Sequence, residues 1–464
     1  MKDRLSYFRS PGLRFAALPL VGILAGCVSL SAPQVPTMAV PASFSAAPAR
    51  PADNAMNRWW LSFRDAHLNA LIERGLQQNL DIAQAVELIN EANSARIGAG
   101  SGLRPMVSGS VAGAVEQQGG GGAASSVTHA GNASWLIDLF GQGANAQRAA
   151  VANIEAAHLS ADAARLTFLS EVTLAYIELR YYQELLALTR LNLATRQETL
   201  DLTNRLLQIG AGSQLDVLQA QSALDATTLQ MPALEMGFIR ELNRLATLTA
   251  QSTEQIRVEL ERGAPQPWPR LRVNAGVPAD LIRQRPDIQR AERVLRAAWA
   301  EAGIAEAQLY PSISLGGSIN IVQLAAGTTS GWSFGPTLNL PFLDGGASRA
   351  NHQVALSRVE QAYIGWQSTV RSAIEEAENA LAALRRDARS LDAANKLKDS
   401  ATKQLELARF SYESGEGQIL DVLNAERGLF DARGEVADAT LQYAKDFVIL
   451  NVAIGGGVMS LSVH

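Results

Sequence analysis

Trp332-Ser333-Phe334-Gly335-Pro336-Thr337-Leu338-Asn339-Leu340-Pro341-Phe342 alternates between two kinds of residue. Trp332, Phe334, Pro336, Leu338, Leu340 and Phe342 fall on one side of a period of two; Ser333, Gly335, Thr337, Asn339 and Pro341 fall on the other. A strand sends successive side chains to opposite faces, so this spacing predicts a strand with one apolar face and one small, polar face. The same period holds upstream. Ile313, Leu315, Gly317, Ile319 and Ile321 alternate with Ser312, Ser314, Gly316, Ser318 and Asn320. Residues 103–115 set Val107, Val111 and Val115 against Ser108, Ser110 and Ala114. Residues 128–139, a fainter case, place Trp135, Ile137 and Leu139 on one side. Each segment has roughly the ~9–11 residues a tilted strand needs to cross a bilayer. Links over 117–126 and 323–331, polar or rich in glycine, make two hairpins of the four. Two readings fit: membrane hairpins with lipid on the apolar face, or soluble hairpins packed on a core. The small, polar opposite faces favour the membrane, and Trp135, Trp332, Phe334 and Phe342 then suit aromatic girdles at its interfaces.

Between the hairpins the composition changes. Proline is absent from 106 to 231 and after Pro341; glycine is absent from 144 to 209, and 347–414 holds only Gly365. These stretches are dense in Ala, Leu, Glu, Gln and Arg, which favour helix. A helix of about 66 residues would be ~100 Å long, a length that reads as coiled coil or helical repeat. The chain also repeats itself. Leu80-Asp81-Ile82 returns as Pro286-Asp287-Ile288, Leu103-Arg104-Pro105 as Leu309-Tyr310-Pro311, and Leu215-Asp216-Val217-Leu218 as Leu420-Asp421-Val422-Leu423, with offsets of 206, 206 and 205. Each half reads helix, strand, strand, long helix, tight turn, helix. The turns carry Gly210 and Gly212 in the first half and Gly415 and Gly417 in the second, which predicts two antiparallel helical hairpins.

The N-terminus reads as an export leader. Lys2, Arg4, Arg9 and Arg14 precede an apolar run over 15–25 that is too short to span a bilayer, and the run ends in Leu24-Ala25-Gly26-Cys27. Cys27 is the only cysteine. It is read as a lipidated residue following cleavage, its acyl chains holding the mature terminus at a membrane; the competing reading is a plain signal peptide with a chance cysteine. Val28 rather than aspartate follows it, as in lipoproteins sorted to the outer membrane. Residues 28–56, rich in Pro, Ala and Ser, read as an extended tether. No other stretch reaches the ~18 apolar residues of a membrane helix, so any spanning must be done by strands.

Composition bounds the chemistry. A net charge of -5 over 464 residues gives no basic footprint for nucleic acid. The five histidines are scattered, and no metal-ligand spacing is visible. The glycine runs at 119–122 and 455–457 lack the lysine of a phosphate loop. No catalytic constellation emerges, and no cofactor is expected beyond the covalent lipid.

Several of these motifs together resemble the outer-membrane efflux protein (outer membrane factor) family of the TolC/NodT type, in its OprM-like lipidated subgroup. The residues that carry the resemblance are Leu24-Ala25-Gly26-Cys27, Trp59-Trp60-x-x-Phe63-x-Asp65, Trp135-x-x-Asp138-Leu139-Phe140-Gly141, Arg285-Pro286-Asp287-Ile288, Tyr310-Pro311-x-Ile313, Gly335-Pro336, Pro341-Phe342-x-Asp344-Gly345-Gly346 and the two Leu-Asp-Val-Leu turns. The resemblance implies a mixed α and β membrane protein. Three chains would contribute four strands each to one twelve-stranded barrel in the outer membrane, continued by a periplasmic α-helical coiled-coil barrel. Oligomerisation itself follows from physics, because four strands cannot close alone.

On this reading the chain divides as follows. Residues 1–26 are the leader and 27–56 the lipidated tether. Residues 57–102 form the helix of repeat 1, 103–141 the first hairpin and 142–262 the first helical hairpin. Residues 263–308 are a linker and helix, 309–344 the second hairpin, 345–455 the second helical hairpin and 456–464 a tail. The implied function is a passive, non-enzymatic channel for small molecules in a tripartite efflux system. Its partners would be outer-membrane lipid, a periplasmic adaptor and an inner-membrane pump. By the same resemblance the periplasmic gate falls on Leu420, Asp421 and Asn424, and the adaptor meets the turns at Gly210, Gly212, Asp216, Gly415 and Gly417. Some members carry aspartate where this chain has Asn424, so Asp421 or Glu416 is the candidate source of negative charge there. Helix capping is the alternative role for Asp216 and Asp421; both roles can hold together. A protein-secretion channel and a non-conducting coiled-coil scaffold remain the competing functions.

Overall fold

The computed structural model describes residues 54–117, 119, 123–270, 284–341 and 343–457. The leader, Cys27, the tether up to residue 53, Phe342 and the tail from 458 lie outside the described residues. The chain gathers into two compact units, one from Ala92–Ile154 with Val294–Tyr363, the other within Thr37–Glu91, Glu155–Arg293 and Ile364–His464.

The first unit holds the sheet. Strands β1 (Met106–Glu116), β2 (Ala124–Ile137), β3 (Ser312–Leu324) and β4 (Gly327–Asn339) form one antiparallel sheet in the order β1-β2-β3-β4. The expected link over 323–331 shrinks to the two-residue turn Ala325-Ala326, with Leu324 opposite Gly327. Thr328, Thr329 and Ser330 are polar on both faces, so the strand continues where the apolar alternation has already ended. Helix α7 (Pro286–Ala307) belongs to this unit from Val294 on and packs Leu295 and Ala302 against Ala355 and Val359 of α8 (Ala347–Glu413).

The second unit is helical. A 3₁₀ segment (Asn54–Phe63) leads into α1 (Ala66–Gln78) and α2 (Leu80–Ser101). Helices α3 (Gln142–Gln208) and α8 are 67 residues each, ~100 Å at 1.5 Å per residue. The return from α3 runs as α4 (Gln214–Thr228) and α5 (Met231–Leu248), followed by α6 (Thr253–Leu260); the return from α8 is the single helix α9 (Ile419–Ala453). Pro232 lies in the first turn of α5, where its missing N–H costs no helical bond, and the first return breaks there.

The Trp59-Trp60-x-x-Phe63-x-Asp65 motif anchors this unit. Trp59 is 1% exposed, meets Trp60 edge-on, and donates from Nε1 to the Gly456 carbonyl at 3.2 Å. Phe63 meets Phe447 of α9 edge-on. Asp65 caps α1 by accepting from the His67 and Leu68 amides, and its second oxygen accepts from the Tyr176 hydroxyl of α3 at 2.6 Å. Gly75 is required by contact: a Cβ there would stand 2.2 Å from the Phe168 ring of α3. Among the described residues no helix is long and apolar enough to cross a membrane.

Candidate functional site

Pairing register puts the alternation of all four strands in phase. Residues opposite one another share a face. On one face the rows read Val111–His129–Ile321–Ser330, Gly109–Gly131–Ile319–Trp332, Val107–Ala133–Gly317–Phe334, Trp135–Leu315–Pro336 and Ile137–Ile313–Leu338. On the other they read Ala112–Thr128–Val322–Thr329, Ser110–Ala130–Asn320–Gly331, Ser108–Asn132–Ser318–Ser333 and Leu136–Ser314–Thr337. Among these rows no residue on either face is acidic, lysine or arginine. The Ser318 and Ser333 hydroxyls hydrogen-bond across β3 and β4 at 2.9 Å.

Trp332 and Phe334 are 81% and 70% exposed, and Val107, Val111 and Val115 are also open. Trp135 is partly exposed, with its indole N–H donating to the Leu103 carbonyl at 3.1 Å. Burying these six side chains at ~1.5–3 kcal/mol each is worth on the order of 10 kcal/mol or more. That is comparable with the whole stability of a domain, so the chain alone leaves a large term unmet. The sheet also ends in two open edges, β1 and β4, whose outward backbone groups have no strand beside them among the described residues.

The helical turns form the second feature. Gly210 and Gly415 take φ of +75° and +78°, a conformation that closes a helix C-terminus and favours glycine. Gly212 and Gly417 follow. Ser213 caps α4 in a reciprocal box: the Ser213 amide donates to Asp216 Oδ2 at 2.9 Å and the Asp216 amide to Ser213 Oγ at 3.2 Å. At the second turn the Gln418 amide donates to Asp421 Oδ2 at 3.3 Å. Both aspartates therefore act as helix caps. Past that cap, Ile419, Val422, Leu423, Ala425 and Leu429 bury with Ala401 and Leu405, while Leu420, Asp421 and Asn424 share the exposed face of α9. Leu215 and Leu218 are exposed on α4.

Three roles escaped sequence reasoning. Asn79 starts α2, its Oδ1 accepting from the Asp81 and Ile82 amides and its Nδ2 donating to the Leu248 carbonyl at 3.0 Å. Arg285 stands 206 residues on. It pairs with Asp287 at 2.7 Å and Glu376 at 2.8 Å and donates to the Ala453 carbonyl at 2.8 Å. Each thus ties the start of one helix to the end of another. Glu426 is buried on α9, accepting from Thr199 Oγ1 of α3 at 2.7 Å and from Arg409 of α8 at 3.1 Å. The glycine-rich motifs that open the long helices also have a local role. Asp138 Oδ2 accepts from the Ala144 amide and Asp344 from the Gly346 and Ser348 amides, each at 2.8–2.9 Å. Bonds from Ser348 and Gly346 hold the Asp344 carboxyl down, at about 2. No group of three metal-ligating side chains occurs among the described residues.

A four-stranded sheet with one apolar face, set between 67-residue helices and repeated by halves, defines an outer-membrane channel fold. The family model "Outer membrane efflux protein" matches residues 71–251 and 277–456, one span in each half, and the chain belongs to that family. It is 40% identical to Nodulation protein T of Rhizobium leguminosarum bv. viciae over 453 residues, covering 96% of this chain and 93% of that one. It is 30% identical to outer membrane protein OprJ of Pseudomonas aeruginosa, covering 97% of each. Among solved structures, the outer-membrane channel OprN superposes with a TM-score of 0.81 at 28% identity, covering 91% of this chain and 98% of that one. A further relative, 29% identical over 94% of this chain, is the toluene efflux pump outer membrane protein TtgC of Pseudomonas putida.

Proposed function

We propose that this chain is the outer-membrane conduit of a tripartite efflux system, passing small molecules outward without chemistry of its own. The observation that carries the reading is the in-phase apolar face across all four strands together with two open edges. Within hydrocarbon an unpaired backbone group costs several kcal/mol, so the edges must close. The β4 edge of one copy pairing with the β1 edge of the next does this, and three copies give a twelve-stranded barrel. The Ser, Thr, Asn and Gly face, with Glu116 at the far end of β1, then lines a wettable lumen. Trp135, Trp332 and Phe334 sit in lipid or at its interfaces, and acyl chains on Cys27 add a second attachment.

Energy comes from an inner-membrane pump, and a periplasmic adaptor grips the helical turns around Gly210, Gly212, Asp216, Gly415 and Gly417. The gate is the exposed face of Leu420, Asp421 and Asn424. The two caps support a gate that moves without unravelling: Asp421 holds the first turn of α9 while Leu420 and Asn424 remain free to face the pore axis.

Purified protein in planar bilayers tests this. A heat-labile trimer with a small resting conductance is expected, and Leu420→Ser should raise the current several-fold. A water-soluble monomer with no conductance overturns the channel; a conducting trimer indifferent to Leu420→Ser and Asp421→Ala overturns only the gate.

A further inference from the structure

Asp387 of α8 and Asp446 of α9 bring two carboxyl groups together inside the helical unit. Asp387 is 3% exposed, and the Asp446 side chain is 14% exposed. The Oδ2 atom of each is buried without a hydrogen-bond donor. One cation reaches the pair: Arg386, on the outside of α8, donates from Nε to Asp387 Oδ1 at 2.7 Å, while its Nη2 stays 3.6 Å from Asp446 Oδ2. The other nearby cation, Lys445 of α9, is turned to Glu178 of α3 at 2.6 Å. Two buried, ionised carboxylates against one guanidinium would repel, and both Oδ2 atoms would remain unsatisfied. A single proton removes both difficulties. The Asp446 hydroxyl then donates to the Asp387 carboxylate, and the pair carries one negative charge opposite one arginine.

We propose that Asp387 and Asp446 share one proton and form a pH-operated clasp between α8 and α9, closed while the proton is held and loosened when it leaves. The inference rests on the helical unit alone and does not need the channel reading. The electrostatics agree with the geometry. Burial and then the hydrogen bond to Asp387 push the Asp446 carboxyl up to about 7, with Arg386 and Lys445 pulling the other way. Burial raises Asp387, but its bonds with Arg386 and Asp446 prevail and leave it lowered.

The sign follows from proton linkage. Between the unfolded carboxyl value, about 4, and the folded value near 7, the folded chain holds a proton that the unfolded chain has lost. Stability from the Asp446 proton is therefore full below about pH 4 and lost progressively as the pH rises through 7. Asp446→Asn keeps an N–H donor toward Asp387 but cannot titrate. Thermal unfolding of the intact protein in detergent should show the variant and the parent melting together near pH ~4, with the variant several degrees higher above pH ~8. The infrared carbonyl stretch of a protonated carboxylic acid should fade in the parent as the pH passes 7 and be missing in Asp446→Asn. If Asp446→Asn does not fold, Asp387→Asn serves instead. It removes the charge that raises Asp446, so the infrared titration should move to lower pH. A melting difference that does not vary with pH, or a carboxyl band that does not titrate near 7, overturns the proposal.

Discussion

The two halves of the chain reach one geometry with different chemistry. In the first, α2 is fastened to the end of α5 by a neutral amide, Asn79 to Leu248; in the second, α7 is fastened to the end of α9 by a guanidinium, Arg285 to Ala453. The capping atoms correspond as well: Gln251 returns its amide to Ala246, and Gly456 returns its amide to Asn451. Yet the first half closes this turn with Ala250 at φ +51° and the second with Gly455 at φ +76°. The comparison teaches that the duplicated architecture specifies where a helix end must be held and leaves open which donor holds it. The charged version comes with two carboxylates, Asp287 and Glu376, that would be left without their cation.

That asymmetry can be broken or sharpened by substitution, with thermal or chemical unfolding as the measurement. Arg285→Ala should cost the most, about 3 kcal/mol, because it strips a mostly buried charge from two acids and a carbonyl. Asn79→Ala should cost about 2 kcal/mol, the loss of a helix cap and of one buried hydrogen bond. Equal losses at both sites would mean that the extra acids of the second half add nothing. The hairpin turns give smaller effects. Ser213→Ala, which opens the reciprocal box at α4, should cost about 1 kcal/mol. At the second turn Gln418→Ser should stabilise by about 0.5 kcal/mol, since serine is the better cap for a box whose aspartate is already in place. A neutral result there would show that the Gln418 amide bond to Asp421 already supplies most of the cap.

Much of the fold was legible because its signals are local. Alternation at period two marks a strand wherever one face meets an apolar medium, and the long run without proline or glycine before Ile209 marks a helix. The signal fades where both faces are polar. Thr328 to Ser330 show no period, so the sheet extends farther than the pattern does and a loop expected over 323–331 becomes Ala325-Ala326. The turn aspartates were legible as caps from their position after Gly210 and Gly415. The roles that escaped act across long separations. Asn79 meets a carbonyl 169 residues away, Arg285 one 168 residues away, and Asp387 meets Asp446 on a different helix. No spacing rule connects such partners until the helices have packed, and the surrounding sequence marks none of them as buried.

The hairpin ends have a consequence of their own. β3 passes into β4 through two alanines, and β1 is joined to β2 by the short stretch between Glu116 and Ala124. On the proposed orientation these are the parts of the molecule that a bacterium would show to its surroundings. At the β3–β4 end only Ala325 and Ala326 stand beyond the last paired rung, so that tip offers an outside binding partner very little to grasp.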